Sequence, residues 1–175
     1  MKRTVLLLAS AAVAATAIAD SKIIPIETDN VGLVYSVGDD GRLYQRYLGR
    51  KLDRQSEYAN LPQGIEAYLT HGMEDYFEPA LHINHADGNQ STLLKYVDSA
   101  TTTNADGSVS TVITLADPVY KDEVKMHFTA FPDVDVISAY TEIKNNENKP
   151  VELEKYASSL LSFNRPAYYL TQYNG

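Results

Sequence analysis

The chain has 175 residues, with 15 lysines and arginines against 23 aspartates and glutamates and a formal net charge of −8. A surface this acidic repels phosphate backbones, and no cluster of basic residues offsets it, so the composition disfavours nucleic acid as a partner. The chain has no cysteine, which excludes disulfides and cysteine-ligated metal sites.

The first segment has the pattern of a secretory signal peptide. Lys2 and Arg3 precede an apolar run over residues 5–19 that ends in small residues. A bilayer-spanning helix needs about 20 predominantly apolar residues, so this run is a poor membrane anchor. We therefore expect a signal peptide over residues 1–19, cleaved after Ala19. Residues 20–175 are then a secreted or periplasmic protein that is long enough for one domain with its own core.

Strands and tight turns dominate the rest of the chain. Alternating apolar and polar residues predict the strands, and clusters of Gly, Asp, Asn and Pro predict the turns. The predicted strands cover residues 22–28, 32–37, 42–49, 92–103, 108–117, 123–131, 134–145 and 151–163. The predicted hairpin turns are residues 38–41, 104–107 and 132–133. Regular hairpins without a convincing helix predict an all-β, antiparallel sandwich.

Three finer predictions accompany these strands. Pro25 places the first strand at the edge of a sheet, because proline cannot donate to a central ladder. Leu33, Tyr35 and Val37 alternate with smaller or polar residues, which predicts a strand buried on one face. His127 lies between two apolar strand residues and is predicted to face away from them.

Residues 51–81 form a long connection without clear periodicity, and long loops in compact β domains are usually functional or disordered. Several aromatic and aliphatic residues in this connection argue against disorder. The connection ends in the sequence THGMEDYFEPAL, residues 70–81. Its carboxylates Glu74, Asp75 and Glu78 are too close in sequence to face each other across a sugar, as glycoside hydrolysis requires. We expect one carboxylate to accept hydrogen bonds from sugar hydroxyls. In the plainer interpretation, Asp75 caps a turn and the two glutamates are solvated.

The histidines do not predict a metal site. His82 and His85 are separated by three positions, which places them on opposite faces if both lie in a strand. No cysteine or HExxH motif completes a ligand set, so we predict no metal and no cofactor. His71 precedes Gly72 in the loop and is placed to touch a ligand, although a surface histidine is the plainer interpretation.

Three stretches resemble a known family. Residues 38–48, residues 72–81 and residues 141–163 are similar to segments of the N-terminal β-supersandwich of glycoside hydrolase family 36, the α-galactosidase family. The middle stretch, with its glycine, aspartate, aromatic and proline-alanine pattern, is the most specific of the three. The resemblance implies an antiparallel β-supersandwich of the galactose-mutarotase-like kind.

The resemblance also implies an activity and a partner domain. Members of this family hydrolyse terminal α-galactosides with retention, using two aspartates on a (β/α)8 barrel that follows the sandwich in the same chain. The barrel motifs are absent here, and a barrel needs roughly 200–250 further residues. We therefore expect no catalytic residue in this chain, a fragment or stand-alone module, no hydrolase activity on its own, and a possible homo-oligomer.

The same resemblance nominates the site residues. In the family, the aspartate of the middle motif contacts galactose hydroxyls, and Asp75 occupies that position, with Tyr76 as its aromatic neighbour. Phe77 stands where the family usually has arginine, which puts a cation at this position in doubt. Phe77, His71 and Glu74 are the weaker candidates for substrate binding.

Two other functions fit a β-sandwich, because this architecture hosts many activities. One is a non-catalytic, lectin-like carbohydrate-binding domain. The other is a sugar epimerase of the mutarotase-like fold, which would need a buried histidine and a carboxylate poised for proton transfer. His82, His85 and Glu78 are the candidates for that pair.

Overall fold

The computed structural model describes residues 22–73 and 77–163 and shows nine strands and one short helix. The strands are β1 (Ile23–Glu27), β2 (Val31–Val37), β3 (Leu43–Arg50), β4 (Leu81–Asn84), β5 (Lys95–Thr103), β6 (Val109–Ala116), β7 (Glu123–Phe131), β8 (Val136–Lys144) and β9 (Glu152–Tyr156). Helix α1 is Gln55–Ala59, and a 3-10 turn covers Pro132–Val134. The predicted signal peptide, residues 1–19, lies outside the described residues. Within the described ranges, no helix is long and apolar enough to cross a membrane.

The strands form three antiparallel groups, in the orders β1-β2-β3, β4-β9 and β5-β6-β7-β8. Each of the three predicted hairpins joins two strands that pair with each other. Among the described residues, the strand that contains Pro25 pairs on one side only, with β2, so it is an edge strand as predicted. The prediction of an all-β antiparallel sandwich is confirmed.

The core lies between the β1-β2-β3 sheet and the four-stranded sheet. Met126 and Phe128 of β7 are buried and point toward it. The rings of Phe128 and Tyr35 in β2 are 5.4 Å apart and tilted by 40°. On the other face of β7, His127 stacks on Tyr140 of β8 with ring centroids 4.4 Å apart. Fully buried and partly exposed residues alternate strictly along β7. This alternation confirms the prediction that His127 faces away from Met126 and Phe128.

The prediction that residues 32–37 are buried on one face only is wrong. Val34 and Ser36, on the second face of β2, are as buried as their neighbours. Two side chains cover this face: Arg46 of β3 donates from Nε to the Ser36 hydroxyl at 3.1 Å, and Tyr58 of α1 lies against Gly32. The sequence pattern missed the cover from Tyr58 because it comes from the irregular segment that begins at residue 51.

The predicted strand over residues 151–163 is too long, because β9 ends at Tyr156. Beyond that point, backbone groups bond side chains of other segments. Tyr68 donates from its hydroxyl to the carbonyl of Ala157 at 2.6 Å. The amide side chain of Gln45 donates to the Ser162 carbonyl at 2.8 Å and accepts from the Ser162 N–H at 2.9 Å.

Asp135 ties the turn before β8 to the turn between β1 and β2. Its carboxylate accepts hydrogen bonds from the Thr28 hydroxyl at 2.8 Å and from the backbone and side-chain N–H groups of Asn30 at 2.9 and 2.8 Å. These bonds, first those from Asn30 and then that from Thr28, hold the pKa of the Asp135 carboxyl below its ordinary value. The carboxylate therefore stabilises the fold in its ionised form.

Replacing Asp135 by asparagine is expected to lower the melting temperature at pH 7. A depressed pKa contributes stability above the unfolded-state value of about 3.9, and this contribution is lost as the pH falls through the folded-state pKa. The difference in melting temperature between wild type and Asp135→Asn should therefore shrink below about pH 4. Thermal unfolding followed by circular dichroism measures it. Asp133→Asn, in the same turn, is the matched control, and an equal loss in both variants would contradict the role given to Asp135.

Candidate functional site

The loop over residues 70–81 is clamped at its base. The N–H of His71 donates to the Leu81 carbonyl at 2.9 Å, and the N–H of Ala80 donates to the Leu69 carbonyl at 2.8 Å. Thr70 forms an isolated parallel bridge with Leu81, and both residues are buried. The two ends of the loop are thus fixed side by side in the core. The chain re-enters a sheet at Leu81, where β4 begins.

Three of the residues predicted from the sequence, Glu74, Asp75 and Tyr76, lie outside the described residues. The flanking residues are described. Phe77 is 52% exposed. Glu78 is also exposed and forms an ion pair with Lys155 of β9.

A cleft of about 520 Å³ opens beside the described residues of this loop. It is lined by Thr70, His71, Gly72, Phe77, Glu78, Pro79 and Ser91. The ring of His71 stacks on that of His82 with centroids 4.0 Å apart, so β4 supports one wall. The cleft thus combines an aromatic side chain, an imidazole and a carboxylate, which are groups that can contact a polar, hydroxyl-rich ligand.

Gly72 holds the loop in a conformation that another residue would strain. Its φ is +84°, in the left-handed region that favours glycine. A Cβ at this position would also overlap Ser91, whose Cα would lie 3.0 Å away. The glycine of the motif is therefore required by backbone geometry and by the close approach of Ser91.

A second group of polar side chains lies in the interior, at one end of the sandwich. His85, Asp122 and Glu147 each offer one ligand atom, and these atoms all lie within 4.8 Å of one another. His85 Nδ1 is 2.8 Å from Glu147 Oε1 and 3.5 Å from Asp122 Oδ2. Burial raises the pKa of the Asp122 carboxyl above its ordinary value, and a hydrogen bond from the N–H of Asn146 opposes part of this rise.

The sequence pattern missed this cluster. It paired His82 with His85, but the structure directs them to different neighbours: His82 lies 3.5 Å from Glu154 of β9, whereas His85 meets the two remote carboxylates. Neither Asp122 nor Glu147 was among the candidate residues of the sequence analysis. The histidine–carboxylate pair required for an epimerase was sought with Glu78, and Glu78 instead pairs with Lys155.

Comparison with known proteins gives a family match and several relatives. Residues 41–175 match the glycosyl hydrolase family 36 N-terminal domain. Alpha-galactosidase Mel36A of Lactobacillus acidophilus is 22% identical over 178 aligned positions, which cover 82% of this chain and 24% of that protein. This chain therefore spans about a quarter of the length of that relative.

Two solved structures share the fold. The α-galactosidase from Lactobacillus brevis superposes with a TM-score of 0.68 at 18% identity, covering 78% of this chain and 23% of the other. The α-galactosidase AgaB from Geobacillus stearothermophilus, assigned to the same hydrolase family, also gives a TM-score of 0.68 at 18% identity, covering 84% of this chain and 24% of the other. At these identities the likeness establishes the architecture of the sandwich.

Proposed function

This chain belongs to the glycosyl hydrolase family 36 N-terminal domain family, and from that membership we propose that it is the N-terminal sandwich of a secreted α-galactosidase. The observation that carries the proposal is the match over residues 41–175. The curated relative and the two structural neighbours described above are α-galactosidases by name. The proposed substrate is a terminal α-galactoside.

The catalytic machinery is proposed to lie in a (β/α)8 domain of the same polypeptide, packed against this sandwich. Two observations support this arrangement. The chain covers 24% of the curated relative, which leaves room for such a domain. In addition, Leu153 and Tyr156 of β9 and Leu161 beyond it are exposed apolar side chains, at 43%, 69% and 41%. Apolar side chains left exposed over this short stretch of chain would be covered by such a domain.

The role proposed for the sandwich is to supply the loop over residues 70–81 to the galactose pocket. Its base is anchored in the core, as a segment that serves a neighbouring domain requires. Asp75 is proposed to accept hydrogen bonds from galactose hydroxyls, with Tyr76 as its neighbour in the sequence. His71 and Phe77 line the adjoining cleft and are proposed to contact the sugar or its leaving group.

In the complete enzyme, Asp75→Ala is expected to lower kcat/KM for an aryl α-galactoside by roughly 10- to 150-fold. This range corresponds to the loss of one charge-assisted hydrogen bond, about 1.5–3 kcal/mol. Asp39→Ala, an exposed aspartate in the hairpin between β2 and β3, is the control and should leave kcat/KM unchanged. An unchanged kcat/KM in Asp75→Ala would refute the role of this residue. The 175-residue chain alone should show no hydrolysis above background.

Export is also proposed, from the signal-peptide pattern of residues 1–19. Mass spectrometry of the protein recovered from the producing cells tests it. A mature N-terminus at Asp20 is expected, and an intact N-terminus on the exported protein would contradict cleavage at Ala19.

A further inference from the structure

Three connections of the sandwich converge at the buried cluster formed by His85, Asp122 and Glu147. His85 follows β4, Asp122 ends the turn between β6 and β7, and Glu147 lies in the turn between β8 and β9. The side chains of His85 and Asp122 are 0% and 1% exposed, and that of Glu147 is 11% exposed. None of the three residues lines the cleft beside the loop of the proposed galactose pocket, and the site proposed below does not depend on the proposed function.

The separations from His85 Nδ1 to the two carboxylate oxygens are close to those between the ligands of a small cation. Ligands at about 2.0–2.2 Å from a tetrahedral ion lie roughly 3.3 Å from one another. His85 Nδ1 lies 3.5 Å from Asp122 Oδ2 and 2.8 Å from Glu147 Oε1. Small side-chain adjustments would therefore bring all three atoms to coordination distance.

Each of the three side chains is held through its second polar atom. His85 Nε2 lies 2.9 Å from the hydroxyl of Thr92. Asp122 Oδ1 accepts the N–H of Asn146 at 3.1 Å, and Glu147 Oε2 accepts the N–H of Ala86 at 3.3 Å. If the hydrogen on the imidazole sits at Nε2 and is donated to Thr92, the lone pair of Nδ1 faces the carboxylates. Metal ligands in proteins are oriented by outer partners in this way.

The ring of His85 is also fixed by stacking. Tyr120 covers it with ring centroids 3.6 Å apart and planes 10° from parallel. The Tyr120 hydroxyl accepts from the side-chain amide of Asn89 at 2.8 Å and donates to Asp87 at 3.0 Å. The imidazole is thereby held in one orientation before any ion binds.

Asp122 Oδ2 is the second, independent observation that points to a ligand. It is buried and has no hydrogen-bond partner among the described residues, although it lies 3.5 Å from His85 Nδ1. A buried carboxylate oxygen is costly unless a hydrogen bond or a cation satisfies it. Within the described ranges, neither Lys121 nor Lys149 forms an ion pair with it, although both line the neighbouring cleft.

We propose that His85, Asp122 and Glu147 bind a divalent transition-metal ion, Zn²⁺ or Mn²⁺, through Nδ1, Oδ2 and Oε1. Two carboxylates and a neutral imidazole match the charge of such an ion, and the imidazole favours it over Mg²⁺ and Ca²⁺, which prefer oxygen ligands. A cleft of about 380 Å³, lined in part by Tyr120, Asn146 and Glu147, gives access from the surface to one of the three ligand residues. The ion would tie three distant connections together.

The test begins with the chain treated with a chelator and then titrated with ZnCl₂ or MnCl₂ in a calorimeter. One ion per chain and a rise in melting temperature are expected, with MgCl₂ giving weaker binding. Asp122→Asn and Glu147→Gln keep the size of the side chain and remove its charge. Each substitution should raise the dissociation constant by about 100-fold or more, since loss of outer partners alone weakens metal binding 10- to 100-fold.

Glu142→Gln is the matched control. Glu142 Oε2 lies 3.3 Å from His127 Nε2, so this pair has the same chemistry but only one carboxylate, and metal affinity should stay at the wild-type value. No binding by the wild type, or equal affinity in all three variants, would overturn the proposal. Binding that survives in both cluster variants would come from another site, such as the stacked His71 and His82, and would overturn it as well.

A measurement on the wild type alone covers the case in which a cluster variant does not fold. Long-range ¹H–¹⁵N NMR reports the two ring nitrogens of His85 separately. With Zn²⁺ added, the Nδ1 signal should move while Nε2 stays protonated. An Nδ1 signal that zinc leaves unchanged would show a metal-free ion-pair cluster and overturn the proposal.

Discussion

Phe128→Ala is expected to lower the free energy of unfolding by about 3–5 kcal/mol, the cost of removing a buried phenyl ring from a packed core. Phe128 is 3% exposed and lies in β7 at the centre of the four-stranded sheet. Its ring meets that of Tyr35, which is fully buried in the central strand of the opposing sheet. The substitution therefore leaves a cavity where the two sheets are in contact. Chemical denaturation followed by tyrosine fluorescence or circular dichroism measures the loss.

Tyr140→Ala is the matched control on the opposite face of the same sheet. Tyr140 is 57% exposed and stacks on His127, so its removal costs a partly solvated aromatic contact, at most about 1.5 kcal/mol. Similar losses in the two variants would mean that the core does not lie between β2 and β7. A large loss confined to Phe128→Ala would support the packing of the two sheets.

The local part of this architecture could be predicted from the sequence. Each of the three hairpins carries its own turn residues, such as the Gly-Asp-Asp-Gly at residues 38–41, and each joins strands adjacent in the chain. The strict alternation of β7 likewise reports its own two faces. Turn chemistry and the period of two act over a few residues, so no knowledge of distant segments is needed.

The non-local part could not be predicted in this way. β4 pairs with β9 across about seventy intervening residues, and no turn signal connects them. Part of the cover over the second face of β2 comes from Tyr58, in the segment after β3. The composition of that segment does not indicate where it packs. Tertiary contacts of this kind override local pattern, since burial on a second face depends on what another segment supplies.

The two candidate sites differ in the same way: one could be recognised from local sequence and the other could not. The loop over residues 70–81 was recognisable because it breaks the strand rhythm, and the structure adds the clamp at its base. The role of Asp75 remains a prediction for the complete enzyme. Local sequence patterns do not indicate the cluster of His85, Asp122 and Glu147. Asp122 and Glu147 lie 37 and 62 positions from His85 in sequence, and such patterns relate only neighbouring residues. Only the fold brings three turns to one point.

Gly64→Ala is expected to destabilise the protein by about 3 kcal/mol, at the upper end of the usual cost of overpacking, because the added methyl meets backbone. A Cβ there would overlap the carbonyl oxygen of Gln45 in β3, with the carbonyl carbon at 3.1 Å. The chain after Gly64 lies along β3: the carbonyl of Ile65 accepts the N–H of Gln45 at 3.0 Å.

The same segment leads directly into the clamped base of the loop over residues 70–81, so the proposed complete enzyme with Gly64→Ala should also show a higher KM for its galactoside. Gln63→Ala introduces the same residue at the exposed neighbouring position and should change the unfolding free energy by less than about 0.5 kcal/mol. A loss of stability in Gly64→Ala with an unchanged KM would separate the packing of this segment from the placement of the loop.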